Sequence, residues 1–410
     1  MWFQQIKNNI MHPTKKSVSI FLLSLSFLTI NLKAQSTIEL KIWIDSLLNN
    51  YVSESGIVGI GASVIYKDTV VFSNGFGYMD LKNKIEFTPN TIMNIGSISK
   101  VVTGISVLHV YNNYDMSIYD TINKLLSFSI EKNITLQQIM THTSSINDVE
   151  KTYQDSYFYG SDSPVPLGDF LKDYLSKEGA LFSESNYLEY KPGEYWQYSN
   201  IAAGLEGYLV ECITDTALNI YSKKHFFEPL QMTNTGWFLS EIDTTKHSKL
   251  YEYKKGGGYK IYPKYGLTTY PDGGLRTSIS DLSQFLIFLA NSGKYQNNQI
   301  LSDSILNAMF TPQFKTGELD KYFQFDDVNN WGLNLEINEL DNGQIVIGHS
   351  GSDPGVATQL WYNLDTEIGI ILFINTRDFE YEYQTKIVKS LWEYGEKYIK
   401  TISKLNKQEK

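Results

Sequence analysis

Strand-like apolar runs stand near both ends of this chain with a long helical stretch between them, and that separation limits the possible folds more than composition does. Residues Ile57 to Phe76 alternate apolar and small side chains around Lys67-Asp68, the pattern of an antiparallel hairpin. Far downstream, Gln344 to Ile347, Thr358 to Tyr362 and Ile368 to Ile374 are again short apolar runs, separated by Gly, Pro and Asp turns. Lys100 to His109 places Val101, Val102, Ile105 and Leu108 at helical spacing, so a helix begins at about Ser97 and runs inward. From Asp120 to Leu230 the pattern is mostly helical, with loops at Asp162-Ser163-Pro164 and Lys191-Pro192-Gly193-Glu194. Leu282 to Asn291 and Tyr383 to Ile399 have helical spacing too, and Gly256-Gly257-Gly258 reads as a surface loop. The expected class is α/β, or more strictly α+β. One discontinuous sheet unit (about 35–110 and 265–410) carries a docked helical unit (about 111–264), and the cleft between them is the natural place for a site.

The first 34 residues do not belong to that core. Lys15-Lys16 precedes an apolar run of 13 residues, Val18 to Ile30, and then Leu32-Lys33-Ala34-Gln35, the order of a secretory signal peptide cleaved after Ala34. Spanning a bilayer takes roughly 20 apolar residues, so no stable membrane span is expected after cleavage. The long lead before the lysines makes Met11 an alternative start. The leader holds four lysines and no acidic residue, so its removal takes the formal charge from −10 to −14. A mature chain (35–410) that acidic, with no basic stripe, lacks the footprint of a nucleic-acid binder. Its only cysteine, Cys212, lies in an apolar helical stretch as a small buried side chain, which excludes a disulfide framework and disfavours a catalytic thiol. No histidine pair has metal-ligand spacing, so neither metal nor cofactor is expected.

Chemistry enters at Asn94-Ile95-Gly96-Ser97-Ile98-Ser99-Lys100. A Ser-x-x-Lys tetrad alone is weak, and Ser129-Ile130-Glu131-Lys132 repeats it. Context separates the two: Ser97 leads directly into the apolar helical run, where unpaired N–H groups and the helix dipole favour developing negative charge. Lys100, one turn on, shares its face and can reach the serine oxygen. Tyr198-Ser199-Asn200 follows Pro192-Gly193 at another helix start, and Gly348-His349-Ser350-Gly351-Ser352-Asp353-Pro354-Gly355 closes one predicted strand and leads into the next.

Taken in order, Ser97-x-x-Lys100, Tyr198-x-Asn200 and His349-x-Gly351 resemble the three signature motifs of the serine β-lactamase and penicillin-binding-protein superfamily, in its class C-like branch. Gly75-Phe76-Gly77-Tyr78-Met79-Asp80, Ile139 to Ser145, and Gly273-Gly274-Leu275-Arg276-Thr277-Ser278 with Asp281-Leu282 look like further landmarks, so the resemblance covers roughly 40–395. It implies an antiparallel sheet flanked by terminal helices, with the active site between sheet and helical subdomain. It also implies an exported acyl hydrolase acting on a small ester, amide or peptide. Ser97 would be the nucleophile, with Lys100 and Tyr198 as the proton-handling pair and Tyr198 acting as phenolate. Asn200 would orient Lys100, and the backbone N–H groups of Ser97 and Ser352 would hold the oxyanion. His349, Ser350 and Gly351 would lie along the substrate, Gly351 because a side chain there would block it. His142 resembles a structural loop residue. Class C β-lactamases carry a lysine where this chain has His349, and carboxypeptidase relatives add an arginine near Trp331-Gly332-Leu333-Asn334-Leu335-Glu336, where this chain offers Glu336. Recognition of a terminal carboxylate is therefore not supported, which favours an esterase or general acyl hydrolase. A D-amino-acid peptidase and a penicillin-binding protein with weak turnover stay open.

Overall fold

The computed structural model describes the backbone of residues 15–296, 298–315, 329–340 and 342–408, with side chains from Gln35 onward except at 381 and 406–408. The first 14 residues of the expected signal segment lie outside the described residues. Lys67, at φ 58°, and Asp68 turn the chain between β1 (Gly59–Tyr66) and β2 (Thr69–Asp80), so the hairpin forms where the alternation places it. Strand β3 (Ile85–Glu86) adds an edge. From the other end come β4 (Asn330–Trp331), β5 (Glu336–Glu339), β6 (Ile345–Asp353), β7 (Val356–Asn363) and β8 (Ile368–Ile374). The sheet order is β4-β5-β6-β7-β8-β1-β2-β3, antiparallel throughout. The seam joining the two ends of the chain runs Ile60 to Tyr66 against Ile368 to Ile374.

Period-two alternation assigns each side of that sheet. Ile368, Ile370, Leu372 and Ile374 face one way with Ile60, Ala62 and Val64, and pack on Ile44 and Leu48 of α1 (Lys15–Ser55) and on the C-terminal helix (Tyr381–Gln408). Ile371 and Phe373 face the other way, into the larger core. Because both faces are covered, β8 is buried at every residue and reads as a continuous apolar run.

The larger core is built round α2 (Ser99–Asn113), which is buried from Ser99 to Leu108. A helix that is apolar all round sits at the centre of its domain. Beside it lies α3 (Asn200–Thr214), and helix Ile279–Ala290 backs the sheet. The middle of the chain is less helical than its pattern suggests: Leu136–Met140, Glu150–Gln154 and Leu167–Leu175 are short helices joined by long irregular stretches. Hydrogen bonds from side chains replace helical ones there. Lys132, for example, donates to the carbonyls of Leu188 and Tyr190, which leaves the second Ser-x-x-Lys tetrad a brace for a loop. Cys212 is half-buried, not fully buried, with its thiol pushed up to about 11 chiefly by desolvation.

One polar bridge crosses the core behind α2. Asn334, held at φ 56°, donates through Nδ2 to the Lys100 carbonyl at 2.9 Å and to both Glu206 oxygens at 2.7 and 2.8 Å. Glu206 is fully buried on α3, and desolvation pushes its carboxyl up to about 8 against the opposing Asn334 bond and Lys100 charge. The unfolded carboxyl titrates near 4.3. Between those values the folded state keeps a proton the unfolded state has lost, so this group removes stability as pH rises through that window. Glu206→Gln keeps an acceptor for Asn334 but cannot ionise. The variant's stability relative to wild type is expected to rise by a few kcal/mol between pH 5 and pH 9; parallel urea midpoints for the two proteins across that range would contradict the assignment.

Candidate active site

Gly96 starts a single 3₁₀ turn, Gly96–Ile98, that delivers Ser97 two residues before α2 begins. Its φ of +55° favours glycine. A Cβ there would also come within 3.0 Å of the Ser352 nitrogen, so the turn is packed directly on the Ser352 amide. Ser97 remains partly exposed while Ile95, Gly96 and Ile98 are buried, which anchors the turn and leaves its hydroxyl on the cavity wall.

Lys100 has no exposed surface, and its Nζ meets three acceptors from three parts of the chain. It lies 3.1 Å from Ser97 Oγ, 2.8 Å from Asn200 Oδ1 and 2.8 Å from the Asp272 carbonyl oxygen. Three acceptors use all three N–H bonds of an ammonium. The same loop is fastened to α2 twice more, by Thr103 Oγ1 donating to the Pro271 carbonyl at 2.8 Å and by the Leu275 N–H donating to Ser99 Oγ at 3.1 Å.

Asp148 sets the position of Asn200. Its Oδ2 accepts the Asn200 N–H at 2.6 Å, and Oδ1 accepts the Ser199 hydroxyl at 2.6 Å and the Ile201 N–H at 3.1 Å. A carboxylate from a distant loop thus caps α3 in addition to Ser199, whose own hydroxyl accepts from Ala202. Burial raises the Asp148 carboxyl, with these bonds opposing.

Tyr198 stands just before that cap, its ring 4.9 Å from the Lys100 Nζ and 4.2 Å, centroid to centroid, from His142. Its hydroxyl is buried and has no hydrogen-bond partner among the described residues. Burial raises the phenol above its ordinary value, and the Lys100 charge opposes without being the larger influence. This corrects the expectation of a resting phenolate: desolvation penalises the anion more than the neighbouring ammonium favours it, so the resting group is a phenol. His142, at φ 56°, accepts the Ser199 N–H on Nδ1 at 3.3 Å, so its proton sits on Nε2. Desolvation, helped by Lys100 and His349, holds that imidazole well below its usual range and neutral.

His349 carries the opposite tautomer. Its Nδ1 lies 2.6 Å from the Ser350 carbonyl oxygen, which can only accept, so Nδ1 bears the proton and the buried, unpartnered Nε2 presents a lone pair. Burial lowers its pKa, with Glu336 opposing. His349 to Asp353 lie inside β6, which ends there before Pro354-Gly355 turns into β7, so the segment closes one strand and leads into the next as expected, with the strand running on past the apolar run that ends at Ile347. Among the described residues the other edge of β6 has no strand partner beyond Gly348, because β5 pairs only with Ile345 to Gly348. The reason for Gly351 is different from the one expected. A Cβ there would sit 2.1 Å from the Ile95 carbonyl oxygen and 2.2 Å from Thr358 Oγ1, so glycine lets β6 press on the segment entering the Ser97 turn; it does not clear room for a substrate.

These groups surround a cavity of about 520 Å³ that brings Ser97, Tyr198, Asn200, His349, Ser350 and Ser352 onto one wall, with Lys100 behind Ser97. Four further lining or supporting residues escape the motif reading. Asp148 caps α3 from 52 positions away in sequence. Asp272 accepts the Tyr153 hydroxyl at 3.0 Å and is pushed up to about 7 by burial. Asp353 accepts Tyr157 at 2.7 Å and Tyr265 at 2.6 Å and is pushed up to about 6 by burial. Trp331 closes an aromatic side, 5.0 Å from His142 and 5.7 Å from His349. Only their place beside quoted landmarks (Ser145 for Asp148, Gly273 for Asp272) could have pointed to any of them. Both arginines lie outside the cavity lining, and Arg276 spends its guanidinium on the carbonyls of Trp237, Gly274 and Tyr265. Among the described residues no His/Cys/Asp/Glu group could hold a metal ion.

Comparison with known proteins identifies the family and the fold. Residues 44–389 match the family model described as Beta-lactamase. Protein flp of Staphylococcus aureus is 25% identical over 344 residues, which is 79% of this chain and 66% of that protein, so this chain spans just under two thirds of that relative. The penicillin-binding protein homologue from Pyrococcus abyssi superposes with a TM-score of 0.66 at 24% identity, covering 82% of this chain and 73% of that one. The D-amino acid amidase from Ochrobactrum anthropi gives 0.67 at 17% identity, covering 89% and 99%. These structural likenesses establish the shared fold of helices and antiparallel sheet. With the family model matched across most of its length, this chain belongs to the beta-lactamase family, whose fold relatives are serine hydrolases.

Proposed function

We propose that this protein is an exported serine hydrolase that cleaves an ester or amide through an acyl-enzyme on Ser97. The observation that carries this reading is the contact of Lys100 Nζ with Ser97 Oγ, at 3.1 Å, at the edge of an aromatic-walled cavity. In turnover the Lys100 ammonium first gives one proton to solvent, and the resulting free amine accepts the Ser97 proton as Oγ bonds to the acyl carbon. Tyr198, a phenol at rest, donates its proton to the departing oxygen or nitrogen as that bond breaks, and the Lys100 ammonium restores it. Water then attacks the ester; its proton passes through Tyr198 to Lys100 and returns to Ser97. The backbone N–H groups of Ser97 and Ser352 hold the oxyanion, and each such donor is typically worth about 10²- to 10³-fold in turnover.

An ester or simple amide fits better than a substrate with a terminal carboxylate, because no lysine or arginine lines the cavity among the described residues. The Ochrobactrum relative named a D-amino acid amidase makes a D-amino acid amide the second substrate to try.

Export is supported by the order of the leader: Lys15-Lys16, the apolar Val18 to Ile30, then Ala34. No described helix is long and apolar enough to cross a membrane.

Wild-type 35–410 is expected to hydrolyse a short-chain p-nitrophenyl ester and to gain one fluorophosphonate adduct on Ser97 by mass spectrometry. Ser97→Ala should lose both; a variant with full turnover rules out this nucleophile. Tyr198→Phe is expected to lower kcat by about 10²-fold or more with an amide leaving group, and by less with p-nitrophenolate, which departs without a proton. An equal loss on the two substrates would remove the acid role. Expressed with its leader in a secreting bacterial host, the protein should leave the cytoplasm with Gln35 at its new N-terminus; an intact leader on cytoplasmic protein refutes export.

A further inference from the structure

The leaving-group side of the cavity can be located from the proton donor. If Tyr198 protonates the departing atom, the departing group lies beside Tyr198 and therefore beside His349 and Trp331, whose rings are each 6.3 Å from the Tyr198 ring. Directly behind them stands Glu336, on β5 opposite Gly348. Its Oε1 is fully engaged, accepting the Ser350 N–H at 3.0 Å and the Ser350 hydroxyl at 2.9 Å, with His349 Nδ1 at 3.4 Å. Its Oε2 has no donor among the described residues, although Glu336 lines the cavity and is only 8% exposed.

The neighbouring groups have the same polarity. His349 is 2% exposed, neutral, and turns the lone pair of an unpartnered Nε2 away from its engaged Nδ1. Lys100 commits its three N–H bonds to Ser97, Asn200 and Asp272, and Arg276 is spent on backbone carbonyls. At the other end of the cavity, Asp353 already takes two tyrosine hydroxyls and Asp272 takes one. Two carboxylate oxygens of the lining take no donor among the described residues: Asp272 Oδ2, buried on the loop whose carbonyl already accepts from the Lys100 ammonium, and Glu336 Oε2, set near Ser350 and roughly 7 Å along β6 from the Ser352 amide. Trp331 also lines this part of the cavity, beside His349. A carboxylate placed there would meet acceptors and a like charge; an ammonium would meet a carboxylate, a lone pair and an indole.

We propose that Glu336 makes this a subsite for a cationic leaving group, so that the enzyme prefers esters and amides whose departing portion carries an ammonium and rejects those whose departing portion carries a carboxylate. The proposal rests on the Ser97 acyl-enzyme and on Tyr198 as proton donor, and assigns to Glu336 the choice of leaving group.

Three thioesters with one acyl group and different leaving-group charge test it: S-butyryl thiocholine, S-butyryl mercaptoacetamide and S-butyryl mercaptoacetate, followed by thiol release. Wild-type kcat/KM is expected to fall in that order, with about 10- to 100-fold between the cation and the anion, as one partly buried charge pair allows. Glu336→Gln, which keeps an acceptor for Ser350, should shrink that ratio at least about tenfold. A flat series in the wild type, faster release of mercaptoacetate, or a ratio untouched by Glu336→Gln overturns the subsite. Because the thiols' own leaving-group ability falls in the same order, each kcat/KM is divided by the rate at which neutral hydroxylamine cleaves the same thioester, and that corrected wild-type series decides the matter even if the variant does not fold. Ser97-dependent turnover of the neutral thioester with a flat charge series defeats this inference alone, whereas turnover of all three that survives Ser97→Ala defeats the acyl-enzyme reading beneath it.

Discussion

A buried ammonium without enough acceptors is expensive enough that the group gives up its charge or its position. Lys100 avoids both through three acceptors drawn from three separate stretches: Ser97 on its own helix, Asn200 at the start of α3, and the carbonyl of Asp272. Each of those stretches is in turn fixed by something else. The Ser97 turn is pressed on β6 by the absence of side chains at Gly96 and Gly351; Asn200 is pinned by Asp148; the Asp272 loop is sewn to α2 by Ser99 and Thr103. The site is thus a set of constraints that converge on one nitrogen, and most of the fold's unusual features near the cavity can be traced to it.

That nitrogen also organises the electrostatics. Asp148, Glu206, Asp272 and Asp353 are all raised by burial, and in each the Lys100 charge pulls the other way. Tyr198 follows the same rule with the same winner. Desolvation outweighs a single ammonium at every one of these positions, so each of these acids binds its proton more tightly than it would in water. Glu336 lies at the cavity wall beside His349 and Ser350 with one oxygen unused, and it is this placement that gives the leaving-group side a sign.

Much of the fold was legible because its signals are local. The Lys67-Asp68 hairpin, the apolar run of β8, α2 and the C-terminal helix all follow from alternation or helical spacing within a few residues. The middle of the chain was over-read as helix, since its order comes from side-chain bonds such as Lys132 to the carbonyls of Leu188 and Tyr190, which leave no periodic trace. Likewise the apolar run that marks β6 stops at Ile347, yet pairing with β7 carries the strand through small and polar residues to Asp353, before the Pro354-Gly355 turn that the sequence does show.

At the site, residue type and order are enough to single out Ser97, Lys100, Tyr198, Asn200 and His349, because a nucleophile one helical turn from a lysine is a local pattern and the later motifs come in family order. Three things come only from tertiary packing. Asp148 reaches α3 across 52 positions, and nothing in its own neighbourhood marks it. Tyr198 rests as a phenol because burial, a property of the assembled core, outweighs a charge that sequence alone does reveal. Gly351 is glycine because Ile95, more than 250 residues earlier, lies against it. Spacing along the chain specifies which groups can react; how strongly each is desolvated, and what stands behind it, depends on contacts between segments that have no fixed separation in sequence.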